Sequence, residues 1–459
     1  MKLRSFLNCF LLAAALAGNL LAADHPGPGL PPVKFTDTRL DNGLRVILAP
    51  DHTAPVLAID VTYDVGSRNE RPGRTGFAHL FEHMMFQGSE NVGKGEHFSL
   101  LENNGGEFNG TTNEDRTTYF EILPKNQLDL ALFLESDRMG KLAVNQANLD
   151  NQRNAVQEER RLGIDNQPYG KSELEIDSLA YDCFNYKHST IGSMSDLNAA
   201  SLEDVKDFFR IYYAPNNAVL SLVGDFDANE ALEKIKKYYE NIPRQPTAPK
   251  ALPCEEERYG ERREIVMDPL ARLPMVMIAY QIPAGNTPDN YALQALGNIL
   301  GTGESSRLYQ HLVKDKQLAT AVQVQVDARR DTSLLYIISY PRPGVKPEEL
   351  EAAIYDDISA VAKNGITSEE LQKAQMQYRR REVQTRESAL RTALRLGHDA
   401  IYFNDPQLIN TAIEKYNATT PDDVKKVAGK YFAANQRAVV TTLPQPGAQP
   451  ESASQGGQQ

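Results

Sequence analysis

The chain has 459 residues, of which 41% are hydrophobic and 24% are charged. A chain of this length is too long for one ordinary hydrophobic core and predicts two or more domains. The composition is typical of a soluble globular protein. The formal net charge of -12 gives the chain no general attraction for nucleic acid, so we expect no nucleic-acid partner.

Residues 1–23 are predicted to be a secretory signal peptide. Lys2 and Arg4 precede an apolar run from Phe6 to Ala17, and small residues follow as far as Ala23. This run is too short to span a bilayer, which disfavours the alternative of an uncleaved anchor helix. Cleavage near Ala23 would release a chain with no later membrane span. We therefore expect a periplasmic or secreted protein.

Two segments of the chain repeat one another. SLEDVKDFFRIYYAPNNAVLSL begins at Ser201, and TPDDVKKVAGKYFAANQRAVVTTL begins at Thr420. They align without gaps at an offset of 219 (420 minus 201), and each predicts a capped helix, a turn and a strand. A predicted strand and helix precede them in each half, so the pattern indicates an internal duplication.

The duplication predicts an α+β fold of two homologous domains, each an antiparallel sheet covered by helices. The domains are expected at 33–243 and 259–443. Four prolines between 243 and 253 favour a Pro-rich linker at 244–258, and the composition of 444–459 favours a disordered tail. The sequence leaves open whether Cys183 and Cys254 form a disulfide.

The stretch GFAHLFEHMMFQGSE, from Gly76 to Glu90, predicts a metal site. On a helix, His79 and His83 lie one turn apart on one face and can hold one tetrahedral Zn²⁺. Glu82 borders them and can act as a general base without binding the metal. The alternative is a helix with two ordinary histidines. It is disfavoured because the apolar neighbours would bury an unpaired polar cluster, so we interpret the stretch as an HxxEH zinc motif.

A catalytic zinc ion of this kind needs a third protein ligand. LDNQRNAVQEERRLG, from Leu149 to Gly163, predicts a helix that offers Glu158 and Glu159. The residues by themselves do not choose between these two carboxylates, and most charges of this helix fit a solvated face.

With these motifs the chain resembles the pitrilysin/insulysin family of inverzincin zinc metallopeptidases, as a two-domain bacterial member similar to the catalytic subunit of mitochondrial processing peptidase. The specific stretches are GFAHLFEHMMFQGS, NNGGEFNGTTNEDRTTYFEI and NAVQEE. The resemblance implies that Glu159 joins His79 and His83 as a Zn²⁺ ligand. It also implies that Glu82 is the catalytic base for the hydrolysis of peptide bonds by a metal-activated water.

The resemblance further implies that the peptide substrate adds as a strand along Glu107–Phe120 and contacts Asn109. Without the neighbouring HxxEH, this segment would be interpreted as an ordinary edge strand with turn-forming residues.

The sequence departs from the family pattern at three positions. Gln152 stands where an acidic residue often precedes the third ligand, while Val313 and Thr320 stand where active single-chain members carry an Arg and a Tyr. The second half also lacks an HxxEH motif. We expect it to supply walls around the site rather than catalytic residues. The family then implies a heterodimer in which this chain carries the zinc and a paralogous subunit carries the Arg/Tyr pair. The alternative is a non-catalytic structural or binding subunit.

Overall fold

Two β-sheets, one in each half of the chain, organise the fold. The computed structural model describes residues 29–256, 260–433 and 435–445, so the expected signal peptide and most of the expected tail lie outside the described residues. The strands in the described residues are β1 (Thr36–Arg39), β2 (Arg45–Pro50), β3 (Val56–Tyr63), β4 (Glu107–Thr112), β5 (Thr117–Pro124), β6 (Ala218–Gly224), β7 (Arg262–Asp268), β8 (Met275–Ile282), β9 (Ala319–Asp327), β10 (Ser333–Pro341) and β11 (Arg437–Pro444).

Helices cover the two sheets. Those of the described residues are α1 (Phe77–Met84), α2 (Glu96–Asn103), α3 (Leu128–Lys141), α4 (Gln146–Arg160), α5 (Gly170–Ala180), α6 (Phe184–Lys187), α7 (Met194–Ala199), α8 (Leu202–Tyr212), α9 (Ala228–Tyr239), α10 (Pro288–Gly301), α11 (Pro347–Asn364), α12 (Ser368–Arg386), α13 (Ala389–Tyr402), α14 (Leu408–Asn417) and α15 (Pro421–Tyr431). None of these described helices combines the length and the apolar character needed to cross a membrane.

The two sheets share one strand order. The first sheet runs β1-β2-β6-β3-β5-β4 and the second runs β7-β11-β8-β10-β9, so the orders match strand for strand once β1 is set aside. In each sheet the last strand, β6 or β11, lies parallel to one neighbour and antiparallel to the other. The predicted repeat is confirmed, but the sheets are mixed rather than purely antiparallel. Long helical connections bring the last strand of each half back beside the first in the same direction.

The repeated segments also form their helices in the same way. Ser201 before α8 and Thr420 before α15 each accept a hydrogen bond from a backbone N–H three residues later. The aspartates at those later positions, Asp204 and Asp423, accept a bond from the cap backbone in return. Two orphan donors are thereby satisfied at each helix start, which explains why both copies begin at the same point.

The first sheet is packed on both faces. Leu57, Ile59 and Val61 of β3 alternate along the strand and so face one core, which includes apolar residues of α1 and α3. On the opposite face, Ala58 packs with Ala393 of α13, a helix from the second half. Helices from both halves therefore hold this sheet.

A disulfide fixes the segment that joins the halves. The Cα atoms of Cys183 and Cys254 lie 5.8 Å apart and their sulfurs are bonded, which decides the point that the sequence left open. The described part of 244–258 contains no helix or strand. The domain boundaries expected at 243 and 259 stay a prediction.

Candidate metal centre

The metal-motif helix α1 is capped by a buried carboxylate. Glu70 accepts hydrogen bonds from the backbone N–H groups of Gly76 at 2.9 Å and Ala78 at 2.8 Å. Its third partner is His188, whose Nε2 lies 2.9 Å from Glu70 Oε2. This carboxylate satisfies donors that a helix start leaves open and complements its positive end. Sequence reasoning missed Glu70, because no local spacing relates it to α1.

Helix α4 packs against α1 and brings a carboxylate to the two imidazoles. His79 and His83 have ring centroids 4.9 Å apart. Glu159 lies with Oε1 3.6 Å from His79 Nε2 and Oε2 3.1 Å from His83 Nε2. The donor atoms of these three residues lie within 4.8 Å of one another, close enough to hold a metal ion. Glu158 instead accepts a hydrogen bond from Arg161 at 2.9 Å, so the structure places Glu159 beside the imidazoles.

Two of these three residues, His79 and Glu159, favour the protonation states that a metal requires. Burial lowers the pKa of His79, and the hydrogen bond with His83 lowers the pKa of Glu159. Burial also disfavours charge on His83, but the adjacent Glu159 carboxylate outweighs it and raises the pKa of His83. A metal requires neutral imidazole and ionised carboxylate. Two imidazoles and one carboxylate form a donor set of catalytic zinc sites, so these residues fit the zinc ion.

Strand β4 passes directly beside Glu82. Thr112 Oγ1 donates a hydrogen bond of 2.6 Å to Glu82 Oε2. Two residues earlier on the same strand face, a Cβ added at Gly110 would lie 3.0 Å from Glu82 Cγ. Glycine thus allows the close approach, and threonine fixes the carboxylate. Sequence reasoning did not single out Thr112, although the two-residue alternation from Gly110 could have pointed to it.

The expected substrate strand is an edge strand with a free side. β4 ends the strand order of the first sheet, and it pairs with β5 from Glu107 to Thr112. Asn109 is exposed there. Since Gly110 faces α1, Asn109 faces the opposite side of the sheet. The role of Asn109 in substrate binding stays a prediction.

The departures from the family pattern are also visible. Val313 is buried in a π-helical turn, Tyr309–Asp315. Thr320 is exposed on β9 and donates to the Tyr340 carbonyl at 3.2 Å. Neither side chain offers a cation or a phenol. Gln152 contributes a hydrogen bond at His83, so an amide contacts this imidazole from the position where the family often has an acidic residue.

A second group with metal-like spacing lies in the core. His97, Glu121 and Glu135 bring donor atoms within 4.8 Å of one another, and all three are buried. Burial raises the pKa of Glu135 to about 8. Arg138 forms an ion pair with Glu135 in this cluster, and a guanidinium beside the donors opposes a metal cation. We therefore interpret this group as a polar network of the core.

Two family models match the chain. The model described as insulinase (peptidase family M16) matches residues 45–193, which include His79, His83 and Glu159. The model described as the peptidase M16 inactive domain matches residues 199–378. The chain belongs to peptidase family M16. The family expected from the quoted motifs is therefore confirmed.

Individual M16 relatives extend the likeness over most of the chain. Zinc protease PqqE of Helicobacter pylori is 32% identical over 438 residues, covering 94% of this chain and 98% of that protein. The crystal structure of a protease from Helicobacter pylori superposes with a TM-score of 0.86 and 31% identity, covering 90% of this chain and 100% of that one. A probable mitochondrial-processing peptidase subunit beta of Arabidopsis thaliana is 24% identical over 269 residues, or 58% of this chain and 50% of that protein.

Proposed function

We propose that this chain is a zinc metallopeptidase that hydrolyses peptide bonds in peptides or unfolded polypeptides. The observation that carries the proposal is the convergence of His79, His83 and Glu159 beside the Glu82 carboxylate. The names of M16 relatives as zinc proteases support it.

Each residue of the site has a distinct task in this proposal. His79, His83 and Glu159 would hold the ion, which when bound supplies Lewis acidity that lowers the pKa of water and polarises a carbonyl. Glu82 Oε2 is engaged by Thr112, whereas Oε1 accepts no hydrogen bond from any described residue. Oε1 is therefore the atom that would take a proton from the attacking water and return it to the leaving amine.

The peptide would bind along the free edge of β4. An added strand pairs through its backbone and so tolerates varied sequences. Asn109 is exposed on this edge and offers a further amide contact.

We further propose that the chain is the zinc-bearing subunit of a heterodimer. Val313 and Thr320 cannot stabilise an oxyanion, so a paralogous subunit would supply the Arg/Tyr pair. The name of the Arabidopsis relative as a subunit supports such an assembly. Export to the periplasm is supported by the signal-like residues 1–23 and by the Cys183–Cys254 disulfide, since oxidising compartments favour such bonds.

A non-catalytic subunit is the second candidate. The description of the model over residues 199–378 as an inactive domain favours it, as does the absence of the Arg/Tyr pair. The metal-motif residues favour the enzyme, because all four side chains lie together.

Glu82→Gln tests the enzyme directly. We expect zinc content by metal analysis to stay at the wild-type level while peptide cleavage falls by orders of magnitude, because the base is lost and the ligands are kept. His83→Ala should lose both zinc and cleavage. Glu158→Gln is the matched control, since it makes the same change one residue before the third ligand and should retain activity.

The assay should use the chain alone and with a co-purified paralogue. Near-normal turnover in Glu82→Gln would disprove the assigned base. Zinc uptake without cleavage of any peptide, with or without the paralogue, would favour the non-catalytic candidate. Efficient cleavage by the chain alone, with no increase when a paralogue is added, would contradict the heterodimer hypothesis.

A further inference from the structure

The edge strand β4 separates two environments. Gly110 and Thr112 face α1 and Glu82, so Asn109 and Thr111 face the opposite side of the sheet. A peptide strand paired to this edge would direct every second side chain to that opposite side. This step rests on the proposed function, because it takes β4 as the peptide-docking strand.

A cavity of about 670 Å³ opens on that opposite side. Its first-sheet wall includes Thr111, Thr118 and Phe120, which belong to β4 and β5. Its other walls come from the second half, mainly α12 and α13. The cavity therefore adjoins the docking edge and is large enough for a side chain of any size.

The carboxylates and the arginines that line this cavity differ in whether they have an ion-pair partner. The wall carboxylates Glu382 and Asp399 have side chains only 4% and 1% exposed. Arg395 pairs with both of them, and Arg386 and His398 add further contacts. These carboxylates are thus buried and already neutralised.

Two arginines of the cavity wall have no such partner. Arg116 donates to the backbone and hydroxyl oxygens of Thr111, and Arg381 lies over the Tyr378 ring. Neither forms an ion pair with a carboxylate among the described residues, and both are at least partly exposed. The cavity therefore presents cations to a ligand even though the chain as a whole is acidic.

We propose that this cavity is a specificity pocket for an acidic side chain of the bound peptide. Arg381 and Arg116 would bind the Asp or Glu carboxylate, since guanidinium groups recognise carboxylates through paired N–H donors. In this proposal the second half of the chain contributes to substrate specificity, because α12 and α13 determine which side chains fit beside β4.

The test uses peptides that differ at one position, where Glu, Gln or Lys is placed in turn at each site near the cleaved bond. With wild-type chain and its paralogue, we expect kcat/KM for the best Glu position to exceed that for Gln by about fivefold, as partly exposed ion pairs allow. Arg381→Gln should remove this preference, and Arg381→Glu should reverse it in favour of Lys. Arg380→Gln is the matched control, since Arg380 is exposed on α12 but does not line the cavity.

A second measurement separates this inference from the proposed function. Fluorescent Glu and Gln peptides are titrated into zinc-loaded Glu82→Gln chain, which should bind them without cleavage. Tighter binding of the Glu peptide, lost in the Glu82→Gln/Arg381→Glu double variant, supports the pocket. If chains that carry the wild-type Arg381 bind and cleave the Glu and Gln peptides equally well, the pocket proposal is wrong, while the proposed peptidase function stands. If no peptide is cleaved, the proposed function fails, and a Glu preference in binding alone would still support the pocket.

Discussion

At the residue scale, the hydrogen bond from Thr112 links the edge strand to Glu82, the proposed general base. Hydrogen bonds to charged groups contribute about 1.5–3 kcal/mol. The donor and the Glu82 Oε2 atom lie 2.6 Å apart, which holds one carboxylate oxygen and leaves Oε1 for the proposed proton transfer. We regard Thr112 as a positioning residue, because it acts through Glu82.

Replacing Thr112 by Val keeps the shape of the side chain and removes the donor. We expect kcat to fall about tenfold or more with KM and zinc content unchanged, because a base that is not held spends less time in the productive orientation. Thr112→Ser should restore most of kcat. Thr38→Val is the control, because Thr38 lies on the exposed strand β1 at the other end of the same sheet. A kcat for Thr112→Val equal to that of wild type would show that Glu82 does not need this bond.

The sequence predicted the residues whose spacing is local and missed those that depend on tertiary approach. His79, Glu82 and His83 share one helical turn, so their proximity follows from the helix itself. Glu158 and Glu159 could not be separated from spacing alone, because the packing of α4 on α1 decides which carboxylate turns inward. Thr112 and Glu70 lie outside α1, so the spacing within that helix does not predict their contacts with it.

At the element scale, α13 lies against β3 at one close contact. A Cβ added at Gly397 would lie 2.1 Å from Asp60 Oδ2 and 2.8 Å from Thr62 Oγ1. Asp60 is fully buried, which raises its pKa to about 7, and it accepts hydrogen bonds from Thr62 and Thr118. This polar contact joins the first sheet to a helix of the second half and leaves no room for a larger residue.

Gly397→Ala should therefore destabilise the chain. We expect the free energy of unfolding in urea to fall by about 1–3 kcal/mol, because the added methyl group forces α13 away from β3. Gly429→Ala is the control, since no atom lies within 4 Å of the Cβ position at that helical glycine. It should raise stability by up to about 1 kcal/mol through helix propensity. Equal effects of the two substitutions would contradict the close contact.

Strands and helices were predicted better than their arrangement in the sheets. The alternation in β3 and the capped repeats are local signals, and the structure has both. The parallel pairing of β2 with β6 is not local, since more than 160 residues separate them. An antiparallel sheet was the simpler expectation because neighbouring predicted strands usually pair in that way.

At the scale of the whole molecule, the Cys183–Cys254 disulfide closes a sequence separation of 71 residues. Such a link stabilises mainly by restricting the unfolded chain, by about 2–4 kcal/mol. We expect dithiothreitol to lower the urea midpoint of wild type, and Cys254→Ser to lower it by the same amount. Cys183→Ser and the double variant should match Cys254→Ser and show no further response to reductant. An unchanged midpoint in reduced wild type would mean that the link does not form in solution.

The central position of β6 and β11 determines when each sheet can be completed. Each is the last strand of its half and fills the gap between two earlier strands, so neither sheet has its full hydrogen-bond ladder before that strand is available. During synthesis, the second sheet must wait for Arg437–Pro444, which follows all of its other strands. The strand pairings that complete each sheet join residues that are far apart in sequence, and such pairings slow folding. In a nascent chain, the first sheet can therefore close at Gly224, 220 residues (444 minus 224) before the second sheet can.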